Sequence, residues 1–312
     1  MTLSGRDAYK DELTLLAQQD SQIVALEADL GGKKHPFEQQ FPDRFFNLGI
    51  AEMTSVDIAA GLAEGGFKPF FSTFAPFVAL RCAEHIKLAL GYMRKNINIV
   101  SSYGGVSGGW FGTTHHALED IGVIQTFENI RIACPHGEEE TRRVIREAAT
   151  STQPYYIRLS RNDAFDSIPS LAEGDELIVD GSWNEDAPVS LISIGEQATE
   201  MALTLKREQP QLNHLHLCYV DKEALIANLQ RLENSGEQIV VVEEHRRAGS
   251  VGSYLSLLLP HKKVYAFTPN EQWPKYGGSH SDVLEYLGFT EERLRQFILD
   301  IRKGSPLCSY PY

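Results

Sequence analysis

The apolar positions in the first half of the chain follow two alternating periods. Runs of consecutive apolar residues, which are typical of buried strands, alternate with segments whose apolar residues recur every three or four positions, as along one face of a helix. Ser4 is placed to cap the first helix, on which Tyr9 and Leu13 share a face. The pattern predicts strands at residues 23–26, 97–100, 130–134 and 155–159, and helices at residues 53–64, 75–92 and 137–150.

The alternation stops between residues 162 and 188, where turn-forming and acidic residues replace the apolar runs. We interpret this stretch as a linker with one edge strand. A second alternation follows it and ends in two short helices. It predicts strands at residues 189–194, 212–220, 238–242 and 263–267, and helices at residues 198–208, 222–233 and 249–259.

Alternating strands and helices of this kind build an α/β fold. We expect two domains, each with a mainly parallel sheet and helices on both faces. Residues 1–165 form the first domain, residues 166–187 the linker and residues 188–312 the second domain. A chain of 312 residues is long enough for two such cores.

Charge and cysteine usage narrow the classes of function. The net charge of −13 argues against nucleic acid as the main partner, because phosphate backbones attract basic surfaces. A small anionic substrate remains compatible with it, since a pocket can be basic on an acidic protein. The sequence shows no apolar signal segment, no membrane-spanning segment, and no disulfide or zinc spacing of its cysteines. We therefore expect a cytoplasmic protein with reduced thiols.

Glu52 lies where a short strand-like run meets a helix rich in small residues. A carboxyl group at such a junction is expected to be at least partly buried. Burial without a nearby cation raises the pKa of a carboxyl group and makes its protonated, donating form available at neutral pH. Such a group can give a proton to a heterocyclic cofactor. The alternative is a helix-start glutamate that only favours the positive end of the helix dipole.

Aromatic residues collect near the end of the next strand. Phe74 and Phe77 are three positions apart and share a face if a helix begins there. They form either part of the core or an apolar slot for a flat ring, in which stacking adds modest binding energy.

A glycine-rich loop follows the predicted strand at residues 97–100. It holds five glycines within nine residues, which lets the backbone approach a ligand closely. The loop ends in His115 and His116. Histidines on loops are good candidates for acid–base chemistry, and we favour His115, while His116 is also compatible with a structural role.

Two arginines follow the last strand of the first half. Arg158 and Arg161 are three positions apart, so we expect one to pair with an acid and the other to face a cleft. The planar guanidinium group suits phosphate, sulfonate or carboxylate, and a surface ion pair is the alternative for either arginine. The sequence lacks both a phosphate-binding glycine motif and the Gly-Asp-Gly…Asn pattern that holds a magnesium diphosphate. A diphosphate cofactor would therefore need another polypeptide.

Taken together, these motifs resemble the C-terminal half of a transketolase, as found in split bacterial transketolases. The resemblance covers nearly the whole chain. It implies thiamine diphosphate and Mg²⁺ as cofactors, transfer of a two-carbon ketol unit between sugar phosphates, and an N-terminal partner subunit in an α₂β₂ tetramer. The segments that carry it are RFFNLGIAEM, AAGLAEGGFKPFFSTFAPF, GTTHHALED, YYIRLSR and VVVEEHRRAGSVGS.

The resemblance also implies roles toward the cofactor. Glu52 matches the glutamate that hydrogen-bonds the aminopyrimidine ring and favours its imino form. Phe74 and Phe77 match aromatic residues that line the pyrimidine slot. Asp29 and Leu30 match the segment beneath the bent cofactor.

Roles toward the substrate follow in the same way. His115 matches the histidine that stabilises the oxygen at the reacting carbon. Arg6 and Arg161 match arginines that clamp the terminal phosphate of the substrate. Trp110 and Phe111, by contrast, occupy positions where many members of the family have an acidic pair whose Asp contacts a sugar hydroxyl.

Two further positions depart from the family pattern. Tyr103 stands where a phosphate-contacting histidine is common, and Lys33 stands near a position often held by serine. Together with the apolar pair Trp110 and Phe111, these departures predict a less hydroxylated or otherwise modified substrate that still carries an anion.

Two alternatives remain open at the level of sequence. One is the beta subunit of a 2-oxo acid dehydrogenase or another decarboxylating thiamine enzyme, whose oxo acid an apolar pocket would suit. The other is a subunit without chemistry that serves assembly or regulation.

Overall fold

The computed structural model describes residues 2–30, 35–161, 164–166, 168, 177–181 and 183–304. Within these ranges the chain forms two sheets, and the expected α/β class with mainly parallel sheets is confirmed. Outside the described residues lie Lys33, Cys308 and, within the predicted linker, residues 167, 169–176 and 182.

The first sheet has six strands in the order β2-β1-β3-β4-β6-β5, and every pairing in it is parallel. Alternate residues of its strands face opposite sides. Ile23 and Ala25 pack in one core cluster, while Val24 and Leu26 pack in the other. The strands are β1 Ile23–Glu27, β2 Phe45–Asn47, β3 Lys68–Phe74, β4 Asn98–Ser102, β5 Arg131–Ala133 and β6 Tyr155–Arg158.

Helices cover both faces of this sheet. Ser4 caps the first of them as predicted, because its hydroxyl accepts the backbone N–H of Asp7. This first helix buries Tyr9 and Leu13. The helices are α1 Gly5–Gln19, α2 Pro36–Gln40, α3 Glu52–Glu64, α4 Ala83–Ile86, α5 Asp120–Ile124 and α6 Gly137–Thr150.

The prediction of one regular α-helix over residues 75–92 is wrong. The structure instead places the π-helical turns Phe77–Arg81 and Lys87–Tyr92 on either side of α4. A π-helical turn holds more residues than an α-helical one, so it changes which side chains share a face. Arg81 ends the first of these turns.

The second sheet has five strands in the order β11-β10-β8-β9-β7. Its edge strand β7 runs antiparallel to β9, which agrees with the edge strand expected from the linker region. The helix predicted over residues 222–233 is divided at Asn228, whose side chain donates to the carbonyl of Ala224. The elements are β7 Leu177–Val179, β8 Ser190–Ile194, α7 Glu196–Glu208, β9 Asn213–Leu217, α8 Lys222–Ala227, α9 Leu229–Glu233, β10 Gln238–Glu243, α10 Val251–Leu258, β11 Lys263–Phe267, α11 His280–Tyr286 and α12 Glu291–Lys303.

The two halves meet at the glycine-rich loop. The Glu244 carboxylate, from the second half, accepts the backbone N–H of Val106 at 2.6 Å and lies 3.2 Å from Nε2 of His280. Gly105 has a positive φ of 64°, and a Cβ atom there would collide with the Glu244 carboxylate. The base of the loop is therefore fixed by a residue more than a hundred positions away in the chain.

Cys82, Cys134 and Cys218 are buried free thiols. Among the described helices, none combines the length and apolar character that crossing a membrane requires.

Candidate active site

The predicted site residues cluster at the carboxyl edge of the first sheet. In an open parallel sheet this edge is where ligands bind, because loops from several strands converge there. Glu52 begins α3, the helix that follows β2, and Phe74 ends β3. His115 and Arg161 lie in the segments that follow β4 and β6.

Glu52 is buried, with a relative exposure of 3%. Its Oε2 atom accepts a hydrogen bond from Nη1 of Arg81 at 2.6 Å. The sequence-based expectation of a carboxyl group without a nearby cation is therefore wrong. The Arg81 side chain is 41% exposed, so the pair joins a buried acid to a base that reaches solvent.

Phe74 and Phe77 form a ring pair beside this carboxylate. Their ring centroids lie 5.7 Å apart in an edge-to-face arrangement. Both residues are only half-buried, unlike Phe70 and Phe71 of the core. The guanidinium carbon of Arg81 lies 4.5 Å from the Phe77 centroid. The pair thus leaves ring surface open at the sheet edge, as a slot for a flat ring requires.

His115 packs against the same aromatic residues. Its ring stacks on Phe111 at 4.5 Å and lies 4.9 Å from Phe77 and 5.5 Å from Phe74. Its Nδ1 atom is 3.0 Å from the hydroxyl of Thr114, which leaves Nε2 for another partner. Burial lowers the pKa of His115 below its ordinary value of 6.5, so the ring is neutral at pH 7.

Arg161 extends the site away from Phe77. Its guanidinium carbon lies 4.0 Å from the Trp110 ring centroid and 4.9 Å from that of Tyr103. Burial raises the pKa of the Tyr103 phenol, and the nearby guanidinium groups of Arg161 and Arg6 oppose that rise. Two cations therefore converge on one phenol, which is an arrangement suited to an anionic ligand.

Trp110 and Phe111 lie at the surface beside these residues. They are 44% and 45% exposed, and their ring centroids lie 5.4 Å apart. They bring an apolar wall, without a carboxylate, to the position between His115 and Arg161.

Asp29, Leu30 and His116 have fewer contacts that bear on the predicted site. Asp29, which is exposed with a φ of 46°, and the buried Leu30 follow β1 at the same sheet edge. His116 is buried, and burial lowers its pKa, with Glu244 among the nearby charges. This environment favours the structural alternative for His116.

The two arginines at and after the end of β6 divide as expected. Arg158 is buried and donates from Nε to the Asp120 carboxylate at 2.8 Å. It also donates to the carbonyl oxygens of Ala117 and Glu244, so it fixes the loop rather than facing the pocket. Arg161 is the arginine that faces the aromatic residues.

Sequence reasoning missed Arg81 and a buried polar group at the end of β1. In that group the Glu27 carboxylate lies 3.9 Å from Nζ of Lys10 and 4.0 Å from Nε2 of His35. Burial lowers the pKa of His35 to about 3, so His35 is neutral at pH 7. The sequence did offer one indication of a special role for Arg81, because it is a single arginine inside the apolar run that follows Phe77.

The residues present fit an aminopyrimidine ring. Arg81 spans a buried carboxylate and a half-buried phenyl ring, and it shows that a planar nitrogen-bearing group can lie over Phe77 and donate to Glu52. Among the described residues, no group of three or more His, Cys, Asp or Glu side chains is arranged to hold a metal ion.

Comparison with known proteins decides the family. The model of the transketolase pyrimidine-binding domain matches residues 1–165. The chain belongs to the transketolase family. Members of this family generally bind thiamine diphosphate, and the resemblance found in the sequence motifs is confirmed.

Relatives in the transketolase family match this chain along most of its length. One subunit of the apulose-4-phosphate transketolase of Phocaeicola vulgatus is 31% identical over 96% of this chain and 97% of that protein. The SqwH subunit of the 6-deoxy-6-sulfo-D-fructose transketolase of a Clostridium species is 28% identical over 80% of this chain and 78% of that protein. A split-gene transketolase solved as an inactive β4 tetramer has a TM-score of 0.80 and 28% identity, covering 96% of this chain and 98% of that one.

Proposed function

We propose that this chain is the pyrimidine-side subunit of a two-polypeptide, thiamine diphosphate-dependent transketolase. It transfers a two-carbon ketol unit from an anionic ketose to an aldehyde acceptor. The observation that carries the proposal is the buried Glu52 carboxylate near the half-buried rings of Phe74 and Phe77, at the same sheet edge as His115.

Each residue has a stated task in this proposal. Thiamine diphosphate, when bound, supplies the carbon nucleophile that accepts and passes on the ketol unit. Glu52 holds the proton on the ring nitrogen of the aminopyrimidine, and Phe74 and Phe77 pack against that ring. Asp29 and Leu30 lie beneath the cofactor. His115, neutral and with Nε2 available, donates to or accepts from the oxygen at the reacting carbon.

A partner subunit completes the site in this proposal. The sequence lacks the Gly-Asp-Gly…Asn pattern, so the diphosphate and Mg²⁺ are assigned to a second chain. The relatives named as individual transketolase subunits support this assignment, as does the split-gene relative that is inactive as a β4 tetramer. We propose a cytoplasmic α₂β₂ assembly with two active sites.

The proposed substrate is a modified ketose that carries a phosphate or a sulfonate. Arg6 and Arg161 converge on Tyr103 and supply the cations for the anionic end. Trp110 and Phe111 give the wall beside His115 no acidic group for a sugar hydroxyl. The relatives named for apulose 4-phosphate and 6-deoxy-6-sulfo-D-fructose support a substrate outside the common ketose phosphates.

The test combines this chain with a partner chain that carries the Gly-Asp-Gly…Asn pattern, thiamine diphosphate and Mg²⁺. Mass spectrometry follows a panel of common and modified ketose phosphates and sulfonates with several aldehyde acceptors. We expect two-carbon transfer from a modified donor, and equal turnover of the common ketose phosphates would contradict the substrate proposal. Release of CO₂ from a 2-oxo acid would favour the decarboxylating alternative.

A further inference from the structure

Arg81 occupies a position that no assigned role of the site explains. Its Nη1 atom donates to Oε2 of Glu52 at 2.6 Å, and its guanidinium group lies over Phe77 with Cζ 4.5 Å from the ring centroid. Among the described residues, Arg81 is the cation that pairs with Glu52. The contact joins the two groups that the proposed function assigns to the aminopyrimidine ring.

A guanidinium group and an aminopyrimidine ring share the features that matter here. Both are flat, both carry N–H donors in their plane, and both can stack on an aromatic face. The face of Phe77 beside Glu52 has room for one of them at a time, because Cζ of Arg81 already lies over that ring, 4.5 Å from its centroid.

The Arg81 side chain can also move away from Glu52. Its side chain is 41% exposed, whereas that of Glu52 is 3% exposed, so the arginine can turn into solvent and the glutamate cannot. It stands at the end of a π-helical turn, a geometry that is frequent at functional sites. A buried carboxylate that loses its only cation is strongly destabilised, so some donor must hold Glu52 whenever the cofactor is absent.

We infer that Arg81 is a stand-in for the aminopyrimidine ring: it stacks on Phe77 and neutralises Glu52 in the cofactor-free chain, and it turns away when the cofactor binds. This inference rests on the proposed function. It adds a competitor within the chain itself, so the affinity for thiamine diphosphate is set by the difference between two partners of Glu52. Removing the competitor destabilises the cofactor-free chain and strengthens binding by the same factor.

The test measures thiamine diphosphate binding by calorimetry in the complex with the partner subunit and Mg²⁺. The variant Arg81→Met keeps much of the side-chain length and removes the charge and the plane. We expect about tenfold tighter binding, which corresponds to about 1.4 kcal/mol. Thermal unfolding without cofactor should show a lower melting temperature for Arg81→Met, and saturating cofactor should restore it.

Two further variants and a control define the result. Arg81→Lys keeps a cation on Glu52 but loses the stacked plane, so we expect it to fold normally and to bind about threefold tighter. In a Glu52→Gln background, Arg81→Met should bring no gain. Lys87→Met, which removes an exposed charge from the same segment, should leave binding unchanged.

If both Arg81 variants bind thiamine diphosphate as tightly as the unmodified chain, or less tightly, the inference is overturned and the proposed function stands. Unchanged binding would mean that Arg81 has no effect on the cofactor, and weaker binding would mean that Arg81 helps to hold it. If the unmodified complex binds no thiamine diphosphate, the proposed function fails and the inference fails with it.

Discussion

Two buried glutamates lie at the carboxyl edges of the two sheets and differ in what holds them. Glu52, at the first sheet, is held by the half-exposed side chain of Arg81. Glu243, at the end of β10, accepts the backbone N–H groups of Val251 and Gly252 at 3.0 and 2.8 Å. A side chain can rotate away, but those backbone donors cannot leave unless the start of α10 unfolds. Burial alone therefore does not mark a functional acid, whereas an exchangeable partner does.

The largest effect that we expect is on catalysis, when the charge of Glu52 is removed. In the reconstituted complex, we expect Glu52→Gln to lower the rate of ketol transfer at least a hundredfold, as is typical for the loss of a group that handles a proton. The melting temperature of the cofactor-free chain should change little, because a buried uncharged amide needs no cation beside it. An undiminished rate would instead support a subunit without chemistry.

Glu243 should show the opposite behaviour. Glu243→Ala leaves two buried backbone N–H groups without an acceptor, so we expect the free energy of unfolding to fall by about 3 kcal/mol. Urea titration of the isolated chain measures this loss. Glu243→Gln retains one acceptor oxygen and should lose about 1 kcal/mol. A large effect of either variant on cofactor binding, at normal stability, would contradict a purely structural role.

The buried His35, at the first sheet edge, should make the stability of the chain depend on pH. The pKa of His35 is lowered to about 3 by burial, while an unfolded chain titrates near 6.5, so the unfolded state binds more protons between these values. Stability from this residue is therefore complete above pH 6.5 and is lost as the pH falls. Between pH 7 and pH 5 we expect a loss of about 2 kcal/mol.

The matched control for this pH dependence is His35→Asn. Nδ1 of His35 accepts the backbone N–H of Phe37 at the start of α2, and asparagine is a good residue for the same cap. The variant should show a flatter dependence of unfolding free energy on pH than the unmodified chain. Parallel curves would show that His35 does not titrate differently on folding.

The smallest predicted effect concerns substrate choice. Phe111→Asp places a carboxylate beside the ring of His115, at a position where the family resemblance implies an acidic residue. We expect kcat/KM for common ketose phosphates to rise about tenfold, which matches one added hydrogen bond to a charged group. Phe111→Leu keeps the wall apolar and should leave the preference unchanged. A fall in all activities of Phe111→Asp would indicate that the stacking on His115 matters more than the lost hydroxyl contact.

Periodicity predicted most elements because each strand and helix carries its own pattern. The helix predicted at residues 137–150 is observed over the same range as α6, and Ser4 caps α1 as expected. The segment at residues 75–92 departed from prediction because helical periodicity assumes one geometry throughout, while π-helical turns change it locally.

The sequence picked out residues that the sheet places close together, but not their side-chain pairings, and their roles in a site stay a prediction. Phe74 ends β3, Glu52 and His115 lie in the segments that follow β2 and β4, and the sheet brings these segments together. The partner of Glu52 lies 29 residues away, and a long flexible side chain reaches it. Such a contact depends on how β2 and β3 are ordered in the sheet, which local pattern does not contain. The domain bounds 1–165 and 188–312 stay a prediction.

The carboxylate of Glu244 beneath Gly105 has a consequence for engineering and for evolution. The loop that carries Trp110 and His115 is braced by the other half of the chain, so substrate choice and the second half cannot be exchanged independently. A chimera that joins the first half to the terminal half of a relative needs an acidic side chain that reaches Gly105 as Glu244 does. Without it, the loop that carries Trp110 and His115 would shift although none of its own residues had changed.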